Sequence, residues 1–447
     1  MQVHFHTLGC KVNQYETEEI AEALEKRDFT VTPSEENADI FVVNSCTVTA
    51  ESDRKTRQLV RRLRHRYPNS IIVLTGCMTQ AFPQAGEALS EANVVLGNNC
   101  NMKLPDLLEQ FLKTGERQTL IQPHVTGERF CGAPITGFTE RTRANMKIED
   151  GCDRFCSYCI IPTARGRVRS KPLEEIREEA AGLAGAHFRE IVLVGINLSA
   201  YGKDTGAKFY EAVAAAGEPE GILRVRLGSL EPDHLTDEVL DGLSAIPKLC
   251  PQFHISLQSG CDRVLRRMNR HYTADEYAEL CAKLRARFAD CSLTTDIMVG
   301  FPGESEADFL ETVAFAEKIG FQKIHVFPYS VRSGTRAAEM PDQIERREKE
   351  RRAAVLLKTA DRLRQSFLQS QVGKTDDVLL ESRRPDGSFH GYTANYTPVC
   401  VHSSLACSGQ MLRVRLVGVE GDFVRGEPVQ NVTKELRKSN EKRRFVK

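Results

Sequence analysis

Short apolar runs that end in Gly, Ser or Asn and lead into helical patterns recur from residue 3 to about residue 330. This alternation leaves few architectures open. Each strand needs a crossover before the next one, so the strands pair in parallel and helices must cover the sheet. Over 1–125 the runs VHFHTLG, DIFVVNS, SIIVLTG and NVVLG alternate with YETEEIAEALEKRD, SDRKTRQLVRRLRHRY, AFPQAGEALSE and MKLPDLLEQFLKTG, which predicts a doubly wound parallel sheet of the α/β class. The Gly-, Pro- and Thr-rich TGERFCGAPITGFTERTR reads as a linker.

A second stretch, 138–370, repeats the unit with ANMKIE, EIVLVGIN, LRVRLGSL, FHISLQ, LTTDIMVG and KIHVFPYS and ends on a long charged helix over about 343–370. It predicts a partial (β/α)6 TIM-like barrel with function at the carboxyl ends of its strands. Over 371–435 the short β-rich runs DDVLLES, FHGYTANYTPVCVH, QMLRVRLVGVEG and FVRGEPV predict a small antiparallel β-barrel of the OB type. The basic tail KELRKSNEKRRFVK is expected to fray.

The start MQVHFHTLGC has neither the basic nor the apolar region of a secretory signal, and no apolar run approaches a membrane span. The expected location is cytoplasmic, with no membrane partner. There the 14 cysteines read as metal ligands or catalytic thiols before they read as disulfides. With 61 basic and 61 acidic residues, no global field draws the chain to a polyanion, and RNA would have to be met by local patches.

Cys152, Cys156 and Cys159 stand at C-x3-C-x2-C spacing directly after the first strand of the predicted barrel. A cubane 4Fe–4S cluster takes one thiolate per iron, so three thiolates leave one iron open to a small-molecule ligand. The alternatives are a zinc site completed from far away, or three buried structural thiols. A second set, Cys10 in HTLGC, Cys46 in VVNSC and Cys77 in VLTGC, repeats one context: each ends a strand and precedes a helix. Parallel strands share one carboxyl edge, so the three can converge on a second 4Fe–4S cluster, or pack as small hydrophobes.

C-x3-C-x2-C after the first strand of a partial barrel, with Tyr158 before the third cysteine, resembles the radical S-adenosylmethionine (SAM) enzymes. In that family the open iron chelates SAM, and one electron from the cluster cleaves it to methionine and a 5′-deoxyadenosyl radical. Two three-cysteine sets in this order resemble its methylthiotransferases over nearly the whole chain, with a methylthiotransferase N-terminal domain, the radical SAM barrel and a C-terminal TRAM domain that binds RNA. The resemblance implies two 4Fe–4S clusters and SAM as both methyl donor and radical source. Its implied partners are a tRNA anticodon stem-loop, an electron-donor protein and a sulfur source. TLGCKVNQYETE, from Thr7, and the later GYTANY resemble the branch acting on N6-threonylcarbamoyladenosine at position 37 of tRNA. Other branches modify isopentenyladenosine or a ribosomal protein. A non-enzymatic alternative is a zinc-stabilised RNA-binding protein.

Around the barrel mouth, Tyr158, Asn197, Glu231, Gln258, Asp296, Gly300 and Gly303 are the candidate cofactor contacts, the two glycines by letting backbone amides approach SAM. Ser305 and Asp308 also fit an ordinary capping box. Arg165 is a candidate fork donor to a carboxylate of SAM or substrate. For RNA, Arg383, Arg384, Tyr392 and Tyr396, with Phe389, offer basic groups beside aromatic faces. RKTRQLVRRLRHR, from Arg54, either tracks phosphates or is a solvated helix face.

Overall fold

The computed structural model describes residues 1–137, 142–403 and 406–429. The basic tail, and the end of the predicted 371–435 unit, lie outside the described residues. Strands β1 (Gln2–Thr7), β2 (Thr30–Val31), β3 (Ile40–Ser45), β4 (Ile71–Gly76), β5 (Val94–Leu96) and β6 (Gln118–Leu120) form one parallel sheet in the order β2-β1-β3-β4-β5-β6. Four of them are those the sequence predicts. The other two, β2 and β6, have only two and three residues and are too short to show a period. Every residue of β3 and β4 is buried, because helices cover both faces. Ile20, Leu24, Leu104 and Leu108 pack one face; Val60 and Leu63, from the helix Ala50–Arg66, pack the other. Strand order reverses between β1 and β3, which makes their carboxyl ends a topological switch point.

The second unit holds β7 (Arg143–Lys147), a short hairpin of β8 (Glu149–Asp150) with β9 (Arg169–Ser170), and then β10 (Glu190–Val194), β11 (Arg224–Leu227), β12 (Ser229–Leu230), β13 (Gln252–Ile255), β14 (Ser292–Val299) and β15 (Lys323–Pro328). Two parallel sheets, β11-β10-β7 and β12-β13-β14-β15, share one run of chain interrupted at Gly228, and a parallel bridge from Val225 to Leu249 links them. Strands β7 and β15 do not pair, so the barrel is open on one side. Alternate residues of its strands, such as Phe253, Ile255, Leu293, Ile297 and Val299, face the helices in one continuous core. The helix Arg346–Gln371 adds Leu356 and Ala360 to that core.

The third unit is a closed five-stranded barrel, β16 (Thr375–Arg383), β17 (Phe389–Tyr392), β18 (Pro398–Val401), β19 (Met411–Glu420) and β20 (Phe423–Pro428), in the order β16-β17-β18-β20-β19. All of its pairings are antiparallel except β18 with β20. The β19–β20 hairpin folds the last strand back beside β18 in the same direction. Phe389 lies in the apolar centre with Val378, Val399, Leu412 and Val424, so core packing claims that ring.

The turn between β17 and β18 docks on the amino ends of the partial barrel. Arg224 donates to the Tyr392 carbonyl, Arg226 to those of Thr393 and Ala394, Ser292 to Asn395 and Gln322 to Tyr396. The Tyr392 and Tyr396 rings stack on each other with centroids 4.3 Å apart. Arg143 lies 5.2 Å from both rings, and Arg226 lies 4.6 Å from Tyr396. This corrects the expectation that both tyrosines serve RNA: each ring has an aromatic neighbour and a barrel guanidinium against it, and together they floor the barrel.

Between the first two units lies a buried ionic network. Lys147 meets Glu16 at 3.4 Å and Asp150 at 3.7 Å. Arg165 forks onto Glu16, and Lys171 pairs with Glu179, which also accepts from the Tyr15 hydroxyl at 2.9 Å. Charges this deep are costly unless paired from both sides, so the network fixes how the two units face each other. Among the described residues, no helix is long and apolar enough to cross a membrane.

Candidate functional site

Cys10 follows β1, Cys46 follows β3 and Cys77 follows β4, three neighbours in the sheet. Their strands therefore deliver all three to one edge. A Cβ built on Gly9 would lie 3.2 Å from the Cys46 Cβ, which brings the first two loops into contact. Gly76 has φ +102, and a Cβ there would stand 2.4 Å from the Ser45 carbonyl oxygen. Only glycine permits that turn, and it aims Cys77 at the same edge. Cys10 is the N-cap of the helix Lys11–Glu25, at the positive end of the helix dipole. Burial pushes the Cys77 thiol up to about 12, against the pull of Arg165, and also raises Cys46.

Cys152, Cys156 and Cys159 lie in the loop after β8, at the carboxyl ends of the barrel strands. The loop is pinned from below: the Ser157 N–H and Oγ donate to the Met268 and Arg267 carbonyls, and Asn269 donates to that of Phe155. Cys156 Sγ accepts from Arg270 at 3.3 Å, and the same guanidinium binds the Glu231 carboxylate. Burial pushes Cys159 up to about 12 and Cys152 higher still. Such thiols lose their protons readily only to a neighbouring cation or a metal.

Among the described residues, His4–His6–Glu35, His254–Asp296–His325 and Cys261–Asp308–Glu311 each bring three ligand-type atoms within 4.8 Å of one another.

The two sets meet through one short helix, Ile161–Arg165, which begins just after Cys159. Its last residue, Arg165, is 1% exposed and donates through Nε to Cys77 Sγ at 3.2 Å. The five residues of that helix rise about 7 Å along its axis. Arg165 thus differs from its expected role: its fork is filled by Glu16 and it bridges the two cysteine sets rather than waiting for an external carboxylate.

The remaining predicted cofactor contacts divide into two groups. Asn197 places Nδ2 3.8 Å from Cys152 Sγ and leaves its buried Oδ1 without a hydrogen-bond partner, an acceptor held open beside the cysteine loop. Glu231 faces the same loop through Arg270. Gln258 adopts φ +65, a strained conformation for a non-glycine residue, and its backbone joins Asp296 and Met298. Tyr158 packs its ring edge-on to Phe301, among Cys261, Val264, Met268 and Tyr329. Gly300 and Gly303 are corrected. The Gly300 N–H already donates to Glu304 at 2.6 Å and that of Gly303 to the Asp342 carbonyl at 2.9 Å. Their space is filled by Lys349 and Arg267. Ser305 and Asp308 form the capping box the sequence also allowed.

Arg383 and Arg384 are exposed on the β16–β17 turn, with Arg384 5.0 Å from the Phe423 ring. Along Ala50–Arg66, Arg54 pairs with Glu51, Arg61 with Glu91, and Arg62 and Arg66 with Glu35. Most of that positive face is neutralised, as in a solvated amphipathic helix. Sequence reasoning missed Arg270, which has no spacing signal and meets Cys156 only through the fold. It also missed Arg332, which joins Thr47 and Asp53 beside Cys46.

Residues 146–316 match the radical SAM superfamily, and residues 2–97 match a family described as uncharacterized protein family UPF0004. A threonylcarbamoyladenosine tRNA methylthiotransferase MtaB of Bacillus subtilis is 36% identical, over 95% of this chain and 96% of its own. One of the same name from Thermotoga maritima is 39% identical over 88% and 90%. A tRNA-2-methylthio-N(6)-dimethylallyladenosine synthase of Pelotomaculum thermopropionicum is 35% identical over 87% and 88%. The chain belongs to the radical SAM methylthiotransferase family. Membership implies a 4Fe–4S cluster and SAM. Among solved structures, the radical SAM methyltransferase TsrM of Kitasatospora setae, with cobalamin and a 4Fe–4S cluster, aligns at TM-score 0.55 and 14% identity. It covers 75% of this chain and 77% of its own, a likeness of fold.

Proposed function

We propose that this enzyme converts N6-threonylcarbamoyladenosine at position 37 of tRNA to its 2-methylthio derivative. Cys152, Cys156 and Cys159 hold the radical SAM 4Fe–4S cluster and Cys10, Cys46 and Cys77 hold a second. The reading rests above all on two three-thiol sets at the carboxyl edges of two parallel sheets, joined by the helix that ends in Arg165. The substrate rests on the names of the MtaB relatives and on the TLGCKVNQYETE stretch. The two clusters and SAM supply one-electron C–H activation and sulfur transfer.

The chain's own residues do the rest. Arg270 holds Cys156 through a charge-assisted hydrogen bond and is itself oriented by Glu231 and the Ser256 carbonyl. Asn197 offers its free Oδ1 at the SAM side, with Tyr158, Gln258 and Asp296 as further walls. Arg165 holds Cys77 and sets the distance between the sets. Arg383 and Arg384 meet the tRNA backbone from an exposed turn, while an electron-donor protein and a sulfur source serve the clusters in the cytoplasm.

The test separates the sets. Cys152→Ala with Cys156→Ala and Cys159→Ala should abolish SAM cleavage. The Cys10, Cys46 and Cys77 triple variant should keep cleavage and lose the methylthio product, read by mass spectrometry of tRNA nucleosides. Product on dimethylallyladenosine alone would move the substrate and keep the chemistry. Wild-type activity in either triple variant would overturn the assignment.

A further inference from the structure

Three adjacent strands point polar side chains into the open half of the barrel. His254 on β13, Asp296 on β14 and His325 on β15 bring one ligand-type atom each within 4.8 Å of the others. Their strand neighbours Phe253, Ile255, Ile297 and Ile324 face the helical layer instead, so strand alternation sets the three on the lumen side. His254 is oriented at both nitrogens, Nδ1 3.0 Å from Thr294 Oγ1 and Nε2 3.3 Å from Asp296 Oδ2. The His325 ring lies 5.8 Å from that of His254 and stacks beside Phe327, which is 50% exposed at the open side. Asp296 and His325 each stand three residues, about 10 Å, below the carboxyl end of their own strand. The docked turn Tyr392–Tyr396 closes the barrel further down.

Resting on the proposed reaction, we infer that His254, Asp296 and His325 form the subsite that reads the polar N6 substituent of the target adenosine. The substituent is a urea bearing an amino-acid carboxylate. A urea presents an N–H donor, which a carboxylate such as Asp296 accepts. His325 faces Lys323 on the same strand side, and burial together with that ammonium lowers its pKa. A neutral imidazole there donates or accepts a hydrogen bond, and the ammonium suits an anionic end group. An apolar dimethylallyl substituent would bury Asp296 and His325 against carbon with no hydrogen bonds returned, and sites built for polar groups reject such analogues strongly. The cluster is therefore a specificity device for this branch of the family.

Two anticodon stem-loop RNAs test it, one carrying N6-threonylcarbamoyladenosine and one carrying isopentenyladenosine, with the full, cluster-loaded chain. Asp296→Asn and His325→Leu should raise KM for the first RNA about 10- to 100-fold, the loss of one or two charge-assisted hydrogen bonds. His325→Leu should leave SAM cleavage to 5′-deoxyadenosine within about twofold, which also reports an intact fold and cluster. His325→Gln, which keeps a donor and an acceptor, should recover most of the loss. KM within twofold of wild type in both variants would overturn the subsite while the reaction stands. Equal loss of SAM cleavage would overturn it in favour of a SAM contact. A wild-type chain that methylthiolates only the isopentenyl RNA would remove the reading on which the subsite depends.

Discussion

Arg165→Ala is the sharpest test of how the two cysteine-bearing units are held together. The guanidinium is 1% exposed and forks onto Glu16, whose side chain is 3% exposed; it also reaches Asp150 at 3.4 Å and Cys77 at 3.2 Å. Removing one partner of a buried pair costs about 3–5 kcal/mol. Glu16 keeps Lys147 at 3.4 Å, and Asp150 keeps Lys147 and Arg169, so the lower end, about 3 kcal/mol, applies. Expressed at the interface, that is an opening equilibrium raised about 100-fold. Arg169, 6% exposed in the same network, reports it: trypsin cleavage there should accelerate by a similar factor where reclosing outpaces cleavage. Arg165→Ala with Glu16→Gln should recover part of the loss, since the orphaned carboxylate has gone, and the cycle should return a coupling above about 1 kcal/mol. Arg165→Lys should fall between, because it keeps the charge without the fork. Cleavage within threefold of wild type in Arg165→Ala would refute the argument, as would a double variant no better than the single one.

Three further outcomes follow from groups away from the cysteines. Burial, then His4, with Arg62 beyond, lower the His6 pKa to about 4 while Glu35 pulls the other way. The unfolded chain therefore takes up this proton first, and stability is lost as pH falls from about 6.5 towards 4. The gap in urea midpoint between wild type and His6→Asn should shrink or reverse from pH 7.5 to 5.5; parallel pH profiles would contradict this. Tyr396→Ala removes ring contacts to Arg143 and Arg226 and should loosen the small barrel by about 2 kcal/mol in thermal unfolding. Arg383→Ala with Arg384→Ala should leave stability within about 0.5 kcal/mol and lower the salt dependence of tRNA binding by about one or two phosphate contacts.

The parts of the fold that were legible from the sequence are those in which a short chain segment carries the whole signal. VVNSC and VLTGC state strand, turn and thiol within five residues, so β3, β4 and the edge they share were readable. The three-unit order was readable because helix and strand periods change along the chain. Tertiary partners were less accessible. Gly300 and Gly303 have the positive φ that invites a ligand, yet Glu304, only four residues from Gly300, and Asp342 take their amides. GYTANY offers two tyrosines to RNA, and nothing local indicates that Arg143 and Arg226, more than 160 residues earlier in the chain, occupy their faces. Arg270 and Arg165 were hidden for the same reason: a buried arginine is defined by what the fold brings to it.

The turn Tyr392–Tyr396 has a consequence beyond docking. By closing the amino end of the partial barrel it leaves two ways in, the carboxyl end of the strands and the side between β7 and β15. Five residues far from the chemistry thus keep the lumen from being a through-passage.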